Sequence, residues 1–450
     1  MGESIMTPET LADDDARSTI RTISLRLGSF VGAMFFVNYL DRVAISFAGP
    51  SGMNHDLGLS AAQFGFAASV FFVGYLLIEI PSNLALHRFG ARRWLARIMV
   101  SWGIVTVLTA FVNGATWLYV LRFLLGVAEA GFFPGAILFL SLWVPQRYRS
   151  QLLGSFYVAQ PLTFVLGAPL ASLLIQAHGL MGLSGWRFMY LGVGVLAVLM
   201  GIVTFLALPD RPADATWLTP SQRRWVTDEI ARGADDGAPR HASAWAALRS
   251  GRVWLFAVAY FGIIYGLYTL SFFLPTIIAE FEGSTGGHLG VMQRGLVTAI
   301  PYIPAALVLF FWSRDASRRG VRGWHVGIPT LAGAIAVPLA LLPHSPVAQV
   351  ALITVLACAV FGALPTFWSL PPRFLSGRAA ASGIALINTV GNLAGLMGPW
   401  LTGWLKSTTN SYEGSMCIVG GFMALSTVMI FILARATDGQ DGTRRTVSSR

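Results

Sequence analysis

Four ionisable residues lie inside long apolar segments, where charged side chains are costly. Asp41 and Arg42 are adjacent in FFVNYLDRVAISF, and Arg122 and Glu129 lie in LYVLRFLLGVAEAGFFPG. The last two are seven residues apart, so on a helix they share one face, two turns apart. A carboxyl group in an apolar environment can hold a proton near neutral pH, and an arginine can bind a carboxylate through two parallel hydrogen bonds. These residues therefore predict proton binding next to anion binding.

The same residues also allow a structural interpretation. Buried ion pairs, Asp41 with Arg122 or Arg42 with Glu129, would hold helices together without any ligand. Two acids and two bases are more than packing requires, so a functional site is favoured. Glu79, in GYLLIEIPSN, lies near one end of its segment, which favours a structural or gating role over proton coupling.

Polar and aromatic residues in the apolar segments are candidates for the rest of a pocket. Tyr39 and Tyr75 lie near the deep charges, and each needs a hydrogen-bond partner if it faces the interior. Gln160 interrupts another apolar segment. Trp368 and Asn388 could line a pocket, although a buried tryptophan also packs without a ligand and amides also bond between helices. Both interpretations stay open for these two residues.

The composition indicates what kind of chain carries these residues. It is 55% hydrophobic and 12% charged, whereas a soluble domain has roughly 25% charged residues. Several apolar runs reach the ~20 residues that a helix needs to cross ~30 Å of hydrocarbon, and only helices satisfy their backbone groups there. We predict an all-α membrane protein with twelve transmembrane helices in two pseudo-symmetric six-helix bundles. The spans are 27–49, 63–84, 94–113, 117–143, 152–177, 188–208, 253–280, 292–312, 324–342, 347–370, 380–405 and 413–434.

The arginine distribution predicts the orientation of these helices. Arginines cluster in alternate connections and near both ends of the chain, whereas 50–62, 114–116 and 343–346 carry neither lysine nor arginine. By the positive-inside rule the arginine-rich connections face the cytoplasm, and so do both termini.

This orientation divides the chain into five regions. A cytoplasmic tail over 1–26 precedes the first bundle over 27–208. A cytoplasmic loop over 209–251 leads to the second bundle over 252–435, and a second tail follows over 436–450. The loop contains TWLTPSQRRWVTDEIARG, which predicts a short helix within a solvated tether.

Several other functional classes are excluded. The net charge of +10 arises from these membrane-flanking arginines, so it does not indicate nucleic acid. The only lysine is Lys406, which leaves no GK[ST] phosphate loop. Cys358 and Cys417 are far apart, and the seven histidines form no HExxH. We therefore expect no metal site, no cofactor and no catalytic residues, and a transporter rather than an enzyme.

The two halves contain a weak internal sequence repeat. GFFPGAILFLSLWVPQRYR in the first half and GALPTFWSLPPRFLSGR in the second both place glycine three residues before proline, with a basic turn following. Repeats of this kind place the substrate site at their interface near the bilayer midplane.

The stretches NYLDRVAISFA, FFVGYLLIEIPSNLALHRFGARRW and VLRFLLGVAEAGFFPGAILFLSLWVP resemble the major facilitator superfamily, and within it the anion:cation symporter family. The resemblance covers roughly residues 27–435. It is closer to bacterial permeases for tartrate, 4-hydroxyphenylacetate, nicotinate and phthalate than to those for sugar acids. It implies a bacterial inner-membrane protein that takes up a small organic acid with protons by alternating access.

The resemblance also implies residue roles. Asp41 and Glu129 would carry protons. The substrate site would comprise Tyr39, Arg42, Tyr75, Arg122, Gln160, Trp368 and Asn388. The sequence departs from the superfamily in HRFGARR, where His87 stands in place of the usual acid, so we expect His87, Arg88 and Arg92 to act in gating.

Two alternatives remain at this level. An exporter or anion exchanger could use the same fold, although exchange alone needs no proton site. A membrane-embedded enzyme or sensor has no supporting motif. We further expect a monomer that binds its small organic acid substrate and the lipid bilayer, and no nucleic acid.

Overall fold

The computed structural model describes residues 13–145, 148, 159–234, 249–285, 290–342, 345–371 and 378–447. Within these residues the chain is helical with short turns and contains no strand. The predicted all-α fold class is therefore confirmed.

Helices occupy each of the predicted spans. In the first half, α1 is a continuous run of Asp13–Ile23, a π-helical turn Ser24–Gly28 and Ser29–Ala48. It is followed by α2 (Ala61–Phe89), α3 (Ala91–Thr109), α4 (Ala115–Glu129 and Phe132–Ser141), α5 (Ala159–Gln176) and α6 (Gly185–Ala207). The predicted start of α5 at 152 lies outside the described residues.

The second half repeats this arrangement. It consists of α7 (Gly251–Thr285), α8 (Val291–Ala299 and Tyr302–Arg319), α9 (Trp324–Leu339), α10 (Pro346–Trp368), α11 (Arg378–Thr409) and α12 (Glu413–Val447). The first and last helices extend into the predicted tails, because a helix can continue past the hydrocarbon into polar surroundings.

The helices differ in how well each could cross a membrane. Among the described residues, nine helices are long and apolar enough, and Gln160–Gln176 and Trp324–Leu339 are shorter apolar helices. The remaining helix, α3, begins with three arginines, Arg92, Arg93 and Arg97, which explains its lower hydropathy.

Contacts at the helix ends define two faces of the molecule. At the terminal face, the start of α1 meets the connection between the halves, with the Arg26 guanidinium 5.4 Å from the Trp217 ring centre. At the opposite face, the indole N–H of Trp186 on α6 donates to Asp56 in the α1–α2 connection at 2.7 Å.

Glycines bring neighbouring helices of the first bundle into close contact. Gly126 of α4 lies against the backbone of α2, where an added Cβ would run into the carbonyl oxygen of Phe71. Gly103 of α3 and Gly194 of α6 face each other, and a Cβ on either would lie 2.8 Å from the other's carbonyl oxygen. Small residues allow this backbone approach, as is typical of membrane helices.

The two halves meet closely in the part of the molecule nearer the opposite face. A Cβ on Gly65 of α2 would lie 3.0 Å from the Cα of Gly403 on α11, and the rings of Phe64 and Phe273 are 5.7 Å apart. Gly295 of α8 lies close to α5, where an added Cβ would be 2.9 Å from the carbonyl oxygen of Ala168. These contacts close the space between the halves toward the opposite face.

The connection between the halves differs from the solvated tether predicted for it. Its helix, Pro220–Ala234, is present, but Trp217 stacks on Trp143 at the end of α4, with 5.9 Å between ring centres. Ala215 and Val226 are completely buried. The prediction of a free tether is therefore wrong for residues 209–234, because their apolar side chains pack on the first bundle. Residues 235–248 lie outside the described part of the chain.

Candidate functional site

The deep charges of the first half lie on α1 and α4, and both acids are completely buried. Arg42 donates from Nε to Oε1 of Glu129 at 2.9 Å, and its Nη2 contacts the same oxygen. Asp41 does not pair directly with any arginine among the described residues. It accepts the hydroxyl of Thr106 on α3, which lies 2.8 Å from Oδ1 and 3.0 Å from Oδ2. Of the two ion pairs left open by the sequence, the structure forms Arg42–Glu129.

A break in α4 positions Glu129. The first segment ends at this residue, and Gly131 then adopts φ +86°, which favours glycine. The carbonyl of Ala130, which cannot continue the helical ladder, accepts the hydroxyl of Ser82 on α2 at 2.6 Å. Glu129 is thus held at a helix end that is fixed by its neighbour. Its Oε2 is buried and has no hydrogen-bond partner among the described residues.

Arg122 lies in the same cluster and has hydrogen-bond donors that are not used. Its Nε donates to the carbonyl of Ala67 at 3.2 Å. Both Nη atoms are buried and find no hydrogen-bond partner in the described part of the chain. Tyr190, Asp41 and Glu129 lie within its electrostatic reach. A buried guanidinium with two free nitrogens is suited to bind an anion, because leaving those donors unpaired is costly.

Arg42 also connects the first bundle to the second. Its Nη1 lies 3.3 Å from the hydroxyl of Tyr268 on α7. The rings of Phe71 and Tyr75 on α2 each lie 5.1 Å from its guanidinium carbon, which places the cation between aromatic faces. Tyr75 therefore lies where it was predicted.

A second polar group lies beside Arg42, between α1, α5 and α7. The hydroxyl of Tyr39 lies next to the side chains of Gln160 and Ser271. The ring of Tyr39 packs against Phe164 at 5.2 Å, and Phe164 stacks on Tyr302 of α8 at 4.1 Å. Tyr39 and Gln160, both predicted site residues, are thus brought together at the boundary between the bundles.

Trp368 and Asn388 are not brought to this cluster by any contact among the described residues. Trp368 packs against Tyr260 of α7, with 4.8 Å between ring centres, and against its neighbour Phe367. Asn388 is half-buried and forms no hydrogen bond within the described residues. Their predicted role in substrate binding stays a prediction.

The predicted gating residues lie at the terminal face, between α2 and α3. Arg92 donates its backbone N–H to Asp210 at 3.0 Å, and its Nε lies 3.4 Å from the other carboxylate oxygen. Arg88 is exposed and lies over the ring of Phe89. The side chain of His87 is outside the described part of the structure. Asp210 supplies Arg92 with the carboxylate that HRFGARR itself lacks.

The sequence assigned no role to three residues of this arrangement. Thr106 carries no signal, since a threonine in an apolar helix usually bonds its own backbone. Asp210 follows a span in LPDRP and was assigned only to a loop. Tyr268 did carry a sequence signal, because a tyrosine inside a membrane span needs a hydrogen-bond partner for its hydroxyl.

Comparison with known proteins agrees with this architecture. The Major Facilitator Superfamily profile matches residues 31–399. The chain belongs to the major facilitator superfamily. The resemblance seen in its motifs is therefore confirmed, and the protein is a membrane transporter, not an enzyme.

Three relatives cover nearly the whole chain. A protein of Agrobacterium vitis named "Putative tartrate transporter" is 44% identical over 94% of this chain and 93% of its own. The "Quinolone resistance transporter" of Acinetobacter baumannii is 40% identical over 93% and 94%. The "Inner membrane transport protein RhmT" of Escherichia coli is 33% identical over 92% and 95%.

A solved structure shares the fold. It is a bacterial homologue of the human lysosomal transporter Spinster in an inward-facing, unoccupied conformation, with a TM-score of 0.73 and 18% identity. The match covers 92% of this chain and 97% of that chain. At this identity the likeness establishes the fold alone, which is the predicted major facilitator fold.

Proposed function

We propose that this transporter carries a small organic anion bearing a carboxylate into the cell together with protons. The observation that carries the proposal is the buried Arg42–Glu129 pair, which joins a strong carboxylate-binding group to an acid that can take up a proton. The name of the Agrobacterium vitis relative supports a carboxylate as substrate.

Proton binding and anion binding are linked at Arg42. While Glu129 is ionised, it occupies Nε and Nη2 of Arg42. A proton on Glu129 removes the negative charge and weakens this pairing, so the guanidinium can bind the carboxylate of the substrate. The free Nη atoms of Arg122 provide a second binding point nearby. Anion and proton therefore favour each other's binding, which is the thermodynamic requirement for symport.

Asp41 provides a second acid in the same region. Its hydrogen bond from Thr106 and its proximity to Arg122 stabilise the ionised form, whereas burial favours the protonated form. We propose that Asp41 exchanges protons in the cycle and neutralises Arg122 when no substrate is bound.

Alternating access would act on the bond that crosses between the bundles. Arg42 and Tyr268 belong to different halves, so a substrate carboxylate that takes Nη1 of Arg42 releases Tyr268. We assign the terminal face to the cytoplasm from the arginine distribution, and the closed opposite face to the outside. Reporter fusions after residue 450 and near residue 235 would test this orientation, and a periplasmic signal at either would contradict it.

One relative favours a second candidate function. The Acinetobacter baumannii protein is named for quinolone resistance, so the same fold and charges could serve export by proton antiport. The direction of coupling separates the two functions. In symport, a proton gradient drives an anion along with the protons, whereas in antiport the substrate moves against them.

The decisive experiment is counterflow in proteoliposomes with radiolabelled organic acids, followed by uptake under an imposed pH gradient. Tartrate, nicotinate and an acid with a benzene ring form a minimal panel, in which each acid is paired with its uncharged amide. We expect uphill uptake of an acid, driven by an acidic outside, and no transport of its amide. Equal transport of the amide, or uptake that responds to the opposite gradient, would contradict the proposal.

A further inference from the structure

Glu79 on α2 is an acid that the proposed mechanism does not use. It is half-buried and has no hydrogen bond or ion pair with the described residues. It follows Tyr75 by four residues, about 6 Å along the helix, and Tyr75 lies against Arg42. Glu79 therefore lies one turn from the substrate site on the side toward the terminal face.

The side of α2 that carries Glu79 is fixed by its neighbours. Phe72 precedes Glu79 by seven residues, which is within about 20° of the same helical direction. Phe72 contacts the second bundle, with its ring 4.7 Å from that of Tyr268 and 6.3 Å from that of Phe272. The exposed residues Leu77 and Leu84 point well away from this direction. Glu79 therefore faces the space between the bundles.

Phe72 and Glu79 lie on either side of the site along this space. Phe72 is buried between the bundles toward the opposite face. There the close contact of Gly65 with Gly403 closes the space between the bundles. Glu79 is partly exposed toward the terminal face. Glu79 therefore lies along the direction in which an anion would leave Arg42 for the terminal face.

Glu79 acts on the site through charge. Arg42 lies within its electrostatic reach, and so do Tyr75 and Tyr268. Arg42 already has Glu129 as its bonded partner, so an ionised Glu79 adds a second negative charge near this cation. A negative charge there weakens the attraction of Arg42 for any further anion.

Resting on the proposed function, we propose that Glu79 is a positioning residue for substrate release. Its charge lowers the affinity of Arg42 for the carboxylate substrate when the site is open to the terminal face. When the terminal face is closed, Glu79 is shut off from water, and burial favours the uncharged form of its carboxyl group, so its effect on the anion is weaker. The result is a site that binds tightly on the outside and releases readily into the cytoplasm.

The size of the effect follows from Coulomb's law. A unit charge on the order of 10 Å from a bound anion, at an effective dielectric constant of about 20, changes affinity roughly tenfold. Removing the charge without changing the shape should therefore tighten binding at the terminal face by about that factor.

The test is Glu79→Gln, measured from both faces. Half-saturating concentrations for radiolabelled nicotinate and tartrate are determined in right-side-out and inside-out vesicles. We expect Glu79→Gln to lower the terminal-face value roughly tenfold, to change the outer value less than twofold, and to slow net uptake. Glu79→Asp should retain the wild-type asymmetry, because it keeps the charge.

Glu280→Gln is the matched control. Glu280 lies at the opposite face, paired with Lys406 at 2.9 Å, so its loss should not tighten binding at the terminal face. An unchanged terminal-face affinity in Glu79→Gln, or an equal change on both faces, would overturn the role of Glu79 while leaving symport intact. If the wild type transports none of the acids, the proposed function itself fails, and this inference fails with it.

Discussion

The carboxylate of Asp210 accepts a hydrogen bond from the backbone N–H of Arg92 at 3.0 Å and faces its guanidinium at 3.4 Å. This contact joins the end of α6 to the start of α3. A few residues later the ring of Trp217 contacts both Arg26 of α1 and Trp143, which follows the end of α4. The segment after α6 therefore ties several helix ends of the first bundle together, at the place where the superfamily's usual acid is missing.

We predict that Asp210→Ala destabilises the first bundle, whereas Asp210→Asn has a smaller effect. Alanine removes the acceptor and the charge, but asparagine keeps an acceptor for the Arg92 N–H. Both side chains of the pair are about one-third exposed, so the loss should be about 1 kcal/mol, seen as a lower melting temperature of the purified protein. Asp214→Ala is the control, because the Asp214 side chain is exposed and forms no hydrogen bond or ion pair among the described residues. Equal melting temperatures for Asp210→Ala and Asp214→Ala would contradict the prediction.

We predict that Glu129→Gln abolishes uphill uptake while counterflow persists. Glutamine resembles the protonated acid, so Arg42 stays available for the substrate but no proton is carried. Asp41→Asn should also abolish uphill uptake, because it removes the second acid. Comparing gradient-driven uptake with counterflow in proteoliposomes separates coupling from binding. If both variants still concentrate the substrate, the acids are structural.

We predict that Arg122→Lys lowers kcat/KM for the carboxylate substrate at least about tenfold. An ammonium keeps the charge but cannot present two parallel donors or reach the Ala67 carbonyl through a separate nitrogen. Initial rates of transport at several substrate concentrations measure this effect. Wild-type kinetics in the lysine variant would show that charge alone is sufficient at this position.

We predict that Gly126→Ala destabilises the packing of α2 on α4 by about 1–3 kcal/mol. The added methyl would collide with the Phe71 carbonyl oxygen and lie 2.9 Å from the Tyr75 nitrogen, so the helices must separate. That separation moves Tyr75 away from Arg42, and transport should fall together with the melting temperature. Gly421→Ala on α12 is the matched control, because its methyl would have no neighbour within 4 Å. A melting temperature as high as that of the control would argue against the close approach.

We predict a pH-dependent contribution to stability from Asp56. The hydrogen bond from the Trp186 indole, 2.7 Å long, lowers the pKa of Asp56 below its ordinary value of 3.8. A lowered pKa in the folded state means that the stabilisation is present above about pH 4 and is lost as the pH falls through the folded-state value. Asp56→Asn should therefore melt below the wild type at pH 7, and the difference should shrink as the pH falls below 4. Because the Asp56 side chain is 37% exposed, the difference should stay under about 1 kcal/mol. A difference that grows on acidification would contradict this sign.

The sequence by itself determined the helices and the buried charges. Apolar runs long enough to cross a bilayer must be helical, since no water is present there to satisfy the backbone. An ionisable residue inside such a run is recognisable without coordinates, and this identified Asp41, Arg42, Arg122 and Glu129. The motifs around them also indicated the superfamily, which the comparisons confirmed.

Only the tertiary structure decided which of these residues pair. Arg42 and Glu129 are 87 residues apart, and their contact depends on how α1 and α4 are rotated and on the break at Gly131. Asp41 accepts a hydrogen bond from Thr106 of α3, and Arg92 donates one to Asp210, which follows α6. These pairs form because packing brings the polar groups within about 3 Å of each other. Spacing along one helix fixes a face, but the neighbour of that face is set by the packing of all the helices together.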